Sequence, residues 1–258
     1  MNDTIGGAAR LPLEPRGADF PYYAGTPQTI RASGWWIVLA ATMAGFAALV
    51  TPMPFQDGIA TGWLRVAAFV GLPLLALALA APGRWTAIFG RVGMREVLLM
   101  FGFALLNIII SMSIGLALNA FGTTSGNDGI ADAVNLEGVR LANFFAKVAV
   151  QLLGEELITI LPFLALLAFL HGKAGWSRNS AVLAAWLLSA VAFGLIHLPT
   201  YDWNVVQCVV VIGSARLVLT WAYVWTKNIW VSTGALILND WAILSSTIIL
   251  TPLATGAG

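Results

Sequence analysis

Long apolar segments recur along the chain and are separated by short polar ones. A helix needs about 20 predominantly apolar residues to cross a bilayer. By that measure the sequence predicts seven spans, at about 34–52, 63–81, 97–121, 141–170, 181–200, 204–225 and 229–250. The fourth segment is too long for a straight crossing, so we expect it to tilt, and Pro162 is expected to kink it. The fold class is therefore an all-α, polytopic transmembrane helix bundle.

Basic residues alternate between the connecting segments. Nine of them fall on one side of the predicted bundle, and only Arg140 falls on the other. The nine are Arg10, Arg16, Arg31, Arg84, Arg91, Arg95, Lys173, Arg178 and Lys227. The positive-inside rule then places the N-terminus in the cytoplasm and the C-terminus outside, in what we expect to be a bacterial plasma (inner) membrane. The predicted organisation is a polar tail over 1–33, a transmembrane domain over 34–250 and a short C-terminal tail over 251–258.

Composition supports a membrane protein and excludes several other classes. Hydrophobic residues make up 59% of the chain and charged residues only 10%, whereas soluble domains carry about 25% charged residues. The net charge of +1 gives no basic field for nucleic acid. Cys208 is the single cysteine, so no intrachain disulfide can form, and we expect it to be a buried apolar side chain. The oligomeric state is left open.

Seven ionisable residues fall inside the predicted spans, where a charge costs at least a few kcal/mol. They are Arg65, Lys147, Glu155, Glu156, His197, Arg216 and Asp240. Arg65 lies near a span end, so we expect it to reach the interface. Lys147 can either pair with the acidic residues or reach the outer headgroups. Arg216 is mid-span, and it can form a structural ion pair or orient a catalytic carboxylate.

The remaining four lie on three different spans. Adjacent helical residues differ in direction by about 100°, so Glu155 and Glu156 cannot both face one small cavity. The simplest arrangement brings the fourth, fifth and seventh spans together around one wet pocket that also holds His197 and Asp240. Such a pocket can hydrolyse a bond, relay protons or carry a cation, or it can simply hold the bundle together. Matched, broken helix halves are absent from the sequence, which disfavours transport.

The order of these residues resembles the CPBP (Abi) family, which includes the type II CAAX prenyl endopeptidases. The family pattern is E-E-x-x-x-R, F-x-x-x-H and H-x-x-x-N/D. Here Glu155 and Glu156 supply the acidic pair, Phe193 and His197 supply the second motif, and "TKNIWVSTGALILND" resembles the approach to the third motif and ends at Asp240. The resemblance covers about residues 141 to 245.

The resemblance implies a glutamate-type intramembrane protease that cleaves a membrane-associated peptide or protein. Glu155 is then the general base that deprotonates water, His197 holds that water or stabilises the oxyanion, and Asp240 belongs to the group that binds the oxyanion or the water. Glu156 is expected to support Glu155, together with Phe193, Asn239 and Arg216. One imidazole and a few carboxylates make a poor zinc site, so we expect no metal and no other cofactor.

Two positions depart from the family pattern. Ile160 stands where the family has Arg, and Leu236 stands where it has the second His; a register one residue earlier would put Ala235 there. Arg216 is a candidate to replace the missing positive charge. Losing a residue that positions water or an oxyanion typically slows an enzyme by about 10²–10³-fold. The chain is therefore either an intramembrane endopeptidase or a non-catalytic relative that acts as a membrane scaffold, immunity or regulatory partner.

Overall fold

The computed structural model describes residues 10–15, 17–51, 58–122, 124–126, 133–134 and 136–255, with side chains as far as residue 250. Residues 1–9 of the predicted N-terminal tail and 256–258 of the predicted C-terminal tail lie outside this description. Within it, all regular structure is helical, and seven helices are long and apolar enough to cross a membrane. The prediction of an all-α polytopic bundle is confirmed.

The seven helices follow the predicted apolar segments closely, with differences of a few residues at their ends. They are α1 (Ala32–Val50), α2 (Ile59–Ala80), α3 (Met94–Asn119), α4 (Gly138–Gly172), α5 (Arg178–Ile196), α6 (Val205–Thr226) and α7 (Ile229–Thr255). Polar side chains cap two of the starts: Ser177 accepts a hydrogen bond from the Ser180 amide, and Asn204 accepts one from the Gln207 amide. Such caps satisfy amides that have no partner inside the helix.

Helix α4 lies at the centre of the bundle. In its most apolar stretch 67% of the residues are buried, against 17% for α3 and 22% for α1. It packs against α1, α2, α5 and α7. With 35 residues it is about 52 Å long, well beyond the hydrocarbon thickness of about 30 Å, and it contains Pro162. The central helix is also the one that carries Glu155 and Glu156.

The chain reverses direction at each connection, so the bundle has two faces. One face carries the segments 81–93, 173–177 and 227–228, and we call it the strap face because the N-terminal segment crosses it. The other carries the 197–204 connection and the described residues between α3 and α4. All of the predicted cytoplasmic basic residues that the structure describes lie at or near the strap face. The assignment of that face to the cytoplasm stays a prediction.

The described residues of the N-terminal segment, 10–15 and 17–31, form a strap that packs on this face. Phe20, Tyr22 and Ile30 are buried, and the Tyr22 hydroxyl lies 2.8 Å from the Arg84 carbonyl oxygen and 3.0 Å from that of Trp85. The strap therefore extends the apolar core beyond the ends of the spanning helices. The boundary at residue 33 between a tail and a transmembrane domain stays a prediction.

A cluster of buried charges fastens the strap to the bundle. Arg178 donates to both Glu14 oxygens at 2.8 and 2.6 Å, and to Asp19 at 2.5 Å. Lys227 donates to Glu14 at 2.6 Å. Burial alone raises the pKa of the Glu14 carboxyl, but these hydrogen bonds from Arg178 and Lys227 outweigh it and lower the pKa below its ordinary value. Glu14 thus bridges the start of α5 and the turn between α6 and α7.

Candidate active site

The two adjacent glutamates of α4 occupy different environments. Glu156 is fully buried, whereas Glu155 is partly exposed and accepts a hydrogen bond of 3.3 Å from Gln151, one turn earlier on the same helix. This divergence follows from the rotation of about 100° between neighbouring helical residues. Glu155 is therefore the more accessible member of the pair.

Glu156 is paired with Arg216 of α6. Arg216 donates from Nη2 to Glu156 Oε1, and neither side chain is exposed. The guanidinium also lies over the ring of Phe193, with its central carbon 4.7 Å from the ring centroid. A buried ion with a partner and an aromatic face is far less unfavourable than an isolated one. The pair connects the three helices α4, α5 and α6.

His197 ends helix α5 and lies beside Phe193, which is four residues earlier and hence on the same helical face. The two ring centroids are 4.6 Å apart, and His197 Nδ1 lies 2.8 Å from the Phe193 carbonyl oxygen. Because a carbonyl can only accept, Nδ1 must carry the hydrogen in this contact. Nε2 of a neutral imidazole is then left with its lone pair free to accept a proton or a hydrogen bond.

Asp240 of α7 faces the same region. Its carboxylate interacts electrostatically with Glu155, His197 and Arg216, and it accepts a 2.8 Å hydrogen bond from the neighbouring Asn239 amide. Ionisable residues of the fourth, fifth and seventh spans thus lie within electrostatic range of one another, and the wet pocket that the sequence predicts around them stays a prediction. The individual catalytic roles given to Glu155, His197 and Asp240 stay predictions.

Sequence reasoning missed Asn107 and Gln151, because it searched the spans only for ionisable groups. Asn107 lies in the middle of α3, is 1% exposed, and donates from Nδ2 to Asn239 Oδ1 at 3.0 Å. With the bond from Asn239 to Asp240 this forms a hydrogen-bonded chain from α3 to the site. The signal was available, since an amide inside "LLNIII" has to find a partner within the bundle.

The backbone beside the site departs from a regular α-helix. Residues Cys208–Ile212 of α6 form a π-helical segment, a feature that often lies at functional sites. Gly194 of α5 packs directly on this segment, and a Cβ there would overlap the Cys208 carbonyl oxygen. The close approach holds Phe193 and Arg216 on facing helices. Cys208 itself is buried, as predicted.

The two departures from the family pattern have apolar surroundings. Ile160 is fully buried in the main apolar cluster. Leu236 is 5% exposed and packs in a second cluster that includes Phe103, Leu152 and Ala235. The position of the missing histidine is therefore filled by apolar packing in both possible registers.

The remaining intramembrane cations lie away from these carboxylates or near span ends. For Lys147, the sequence left open whether it pairs with the acidic residues or reaches the headgroups. It lies against Gly62 of α2, where a Cβ built on Gly62 would be 3.5 Å from Lys147 Nζ. Among the described residues no ion pair joins Lys147 to the acidic pair. Arg65 lies in the second turn of α2, near the span end as predicted.

The donor side chains of the site do not form a set of metal ligands. Within the part of the chain that the structure describes, no three His, Cys, Asp or Glu side chains come together in a way that could hold an ion. Catalytic zinc usually has three protein ligands including histidine, and here Glu156 is already engaged by Arg216. The residues do not fit a metal, and the absence of a cofactor stays a prediction.

These observations define the class of protein: an integral membrane helix bundle with carboxylates and a histidine gathered from three spans. Residues 138–242 match the family model described as Rce1-like, type II CAAX prenyl endopeptidase. The match runs from the start of α4 into α7 and confirms the resemblance to the CPBP family over that range. No curated protein and no solved structure shows a significant match to the chain.

Proposed function

We propose that the protein is an intramembrane endopeptidase that cleaves a membrane-associated peptide or protein by means of a glutamate-activated water. The observation that carries this proposal is the grouping of Glu155, His197 and Asp240 from three spans inside the region that matches the endopeptidase family. Ionisable residues inside membrane spans are costly and are typically functional.

The chemistry needs one base, one water and one polarised carbonyl. Glu155 takes a proton from the water, whose oxygen bonds to the carbonyl carbon of the scissile amide. His197 Nε2 accepts a hydrogen bond from the same water, since Nδ1 is held by Phe193. The C–N bond of the tetrahedral intermediate then breaks, and the proton on Glu155 passes to the leaving amine. A new carboxylate and a new amine result.

The ion pair between Glu156 and Arg216 supports this arrangement in two ways. It fixes α4 against α6, which sets the direction in which Glu155 points. It also neutralises the charge of Glu156, which would otherwise be a third negative charge beside Glu155 and Asp240. Arg216 interacts electrostatically with both Glu155 and Asp240, as a residue that balances the charge of the site should.

A second candidate function is a non-catalytic membrane partner that binds a peptide or protein without cutting it. The apolar packing of Leu236 favours it, because the second histidine of the family pattern is replaced by a side chain buried among Phe103 and Leu152. In that case the polar groups of the site would bind a partner rather than a transition state.

Cleavage in ¹⁸O-labelled water distinguishes the endopeptidase from the non-catalytic membrane partner. The full chain in proteoliposomes is incubated with a library of membrane-anchored peptides, with and without a lipid modification, and products are read by mass spectrometry. Proteolysis by a Glu155-activated water predicts one ¹⁸O in each new C-terminus and loss of product in Glu155→Gln. Intact peptides with the wild type, together with a stoichiometric partner that co-purifies equally with Glu155→Gln, would favour the binding function.

A further inference from the structure

An apolar groove of about 640 Å³ lies near the strap face of the bundle, beyond Glu155 towards the end of α4. Helices α1 and α4 form two of its walls, and the strap forms the third. Its lining includes Tyr22, Ile30, Trp35, Pro162 and Phe169. The volume is within the range of small-molecule sites, about 300–1,000 Å³. Among the described residues, neither Glu155 nor any other acidic group lines this groove.

The position of the groove determines what can enter it. Both helical walls are membrane spans, and Trp36 and Phe169 on its rim are largely exposed on the outer surface of the bundle. Exposed apolar surface on a span faces the hydrocarbon of the bilayer. The groove therefore opens towards acyl chains, and a chain that lies in it would cover mostly apolar side chains.

One cation lines the groove and a second is the immediate neighbour of a lining residue. Lys173 lines the groove, and Arg31 directly precedes Ala32, which also lines it. Both side chains are exposed, and in the described part of the chain neither forms an ion pair. The nearby strap carboxylates do not neutralise them, since Glu14 and Asp19 are held by Arg178 and Lys227.

The start of α1 adds to this positive potential. Its first turn receives no hydrogen bond from a capping side chain at Arg31, and amides at a helix start attract anions. An apolar groove that faces acyl chains, with Lys173 in its lining and Arg31 next to it, is complementary to one type of molecule. We propose that it binds an anionic phospholipid, with one hydrocarbon chain in the groove and the phosphate at Arg31 and Lys173.

Lipid retention by the purified full chain tests this proposal. The protein is placed in nanodiscs that contain equal amounts of phosphatidylcholine and phosphatidylglycerol, and the lipids that remain bound after release are measured by native mass spectrometry. We expect the wild type to retain one phosphatidylglycerol in preference to phosphatidylcholine. Removing each cation, in Arg31→Gln and Lys173→Gln, should lower that preference about fivefold, since a basic residue near an anionic membrane surface contributes about that factor.

Matched variants separate this site from general attraction to the strap face. Arg84→Gln removes an exposed cation from the same face outside the groove and should leave the preference unchanged. Ala168→Trp fills the groove and should abolish retention, whereas Leu187→Trp changes an exposed position on α5 and should not. Equal loss in Arg84→Gln, or a bound lipid that survives Ala168→Trp, would overturn the proposal.

Discussion

Arg216 of α6 and Glu156 of α4 form an ion pair in which neither side chain is exposed. Removing one partner leaves the other as an uncompensated buried charge, which costs about 3–5 kcal/mol. We therefore expect Arg216→Met and Glu156→Gln each to lower the thermal midpoint of the detergent-solubilised protein markedly. The double variant Glu156→Gln/Arg216→Met should recover most of the loss, because it buries no charge.

The control for this experiment is Arg95→Gln. Arg95 pairs with Glu96 at 3.7 Å, but its side chain is 70% exposed, and exposed pairs contribute about 0–1 kcal/mol. Its midpoint should stay within a degree or two of the wild type. Additive losses in the double variant would show that the two buried charges do not compensate each other.

Arg216 is a candidate to replace the arginine that the family pattern has one turn after Glu156. Ile160 lies four residues after Glu156 and so on the same helical face, where it is fully buried. We expect Ile160→Arg/Arg216→Met, which moves the cation from α6 to α4, to be more stable than Arg216→Met alone. Thermal unfolding of the pair checks this. A relocated arginine that further lowers the midpoint would mean that α6 is the only place from which Glu156 can be neutralised.

Asn107 of α3 is expected to position Asp240 through Asn239. Asn107→Leu removes the 3.0 Å bond to Asn239 and leaves a buried amide oxygen without its donor, at a cost of about 1–3 kcal/mol. In the ¹⁸O cleavage assay kcat should fall while KM changes little, because Asn107 acts on Asp240 and not on the substrate. Ser111→Ala, one turn further along α3, is the matched control. A rise in KM alone would contradict a positioning role.

Acidification is expected to release the strap. Arg178 and Lys227 lower the pKa of Glu14 despite its burial, and Arg178 does the same for Asp19. A carboxyl whose folded pKa is depressed stabilises the folded state above its ordinary pKa, and that contribution is lost as the pH falls through the folded value. Hydrogen exchange of the strap amides, such as that of Tyr22, which bonds to the Thr26 carbonyl, should therefore quicken below about pH 4.

Glu14→Gln should quicken the same exchange already at neutral pH, because it leaves Lys227 buried without its carboxylate partner. Arg95→Gln again serves as the control on this face. Strap exchange that is insensitive both to pH and to Glu14→Gln would show that apolar packing of Phe20 and Tyr22 holds the strap without help from the charges.

Hydropathy was sufficient to predict the seven spans, because in a bilayer every spanning segment has to be apolar along its length. The cost of charge in lipid likewise singled out Glu155, Glu156, His197 and Asp240 as candidates, whose catalytic roles stay predictions. An ion pair was one of the two alternatives for Arg216, but that Glu156 is its partner was not predictable, since periodicity does not say which spans pack together. The strap was missed for a different reason: its polar, proline-containing segment has no helical period, and Glu14 contacts residues 164 and 213 positions away.

Substitution of Gly194 can show whether the site depends on the close approach of α5 and α6. A Cβ at this position would overlap the Cys208 carbonyl oxygen, and backbone cannot move aside as a flexible side chain can. Gly194→Ala should therefore separate α5 from the π-helical segment of α6 and lower the thermal midpoint. By contrast, Gly102→Ala and Gly115→Ala have open space around the added methyl and should be neutral or stabilising by up to about 1 kcal/mol.

Because Phe193 adjoins Gly194 and contacts both Arg216 and His197, we expect Gly194→Ala to lose cleavage as well as stability. Unchanged cleavage with a lowered midpoint would mean that the two helices can separate without disturbing the site.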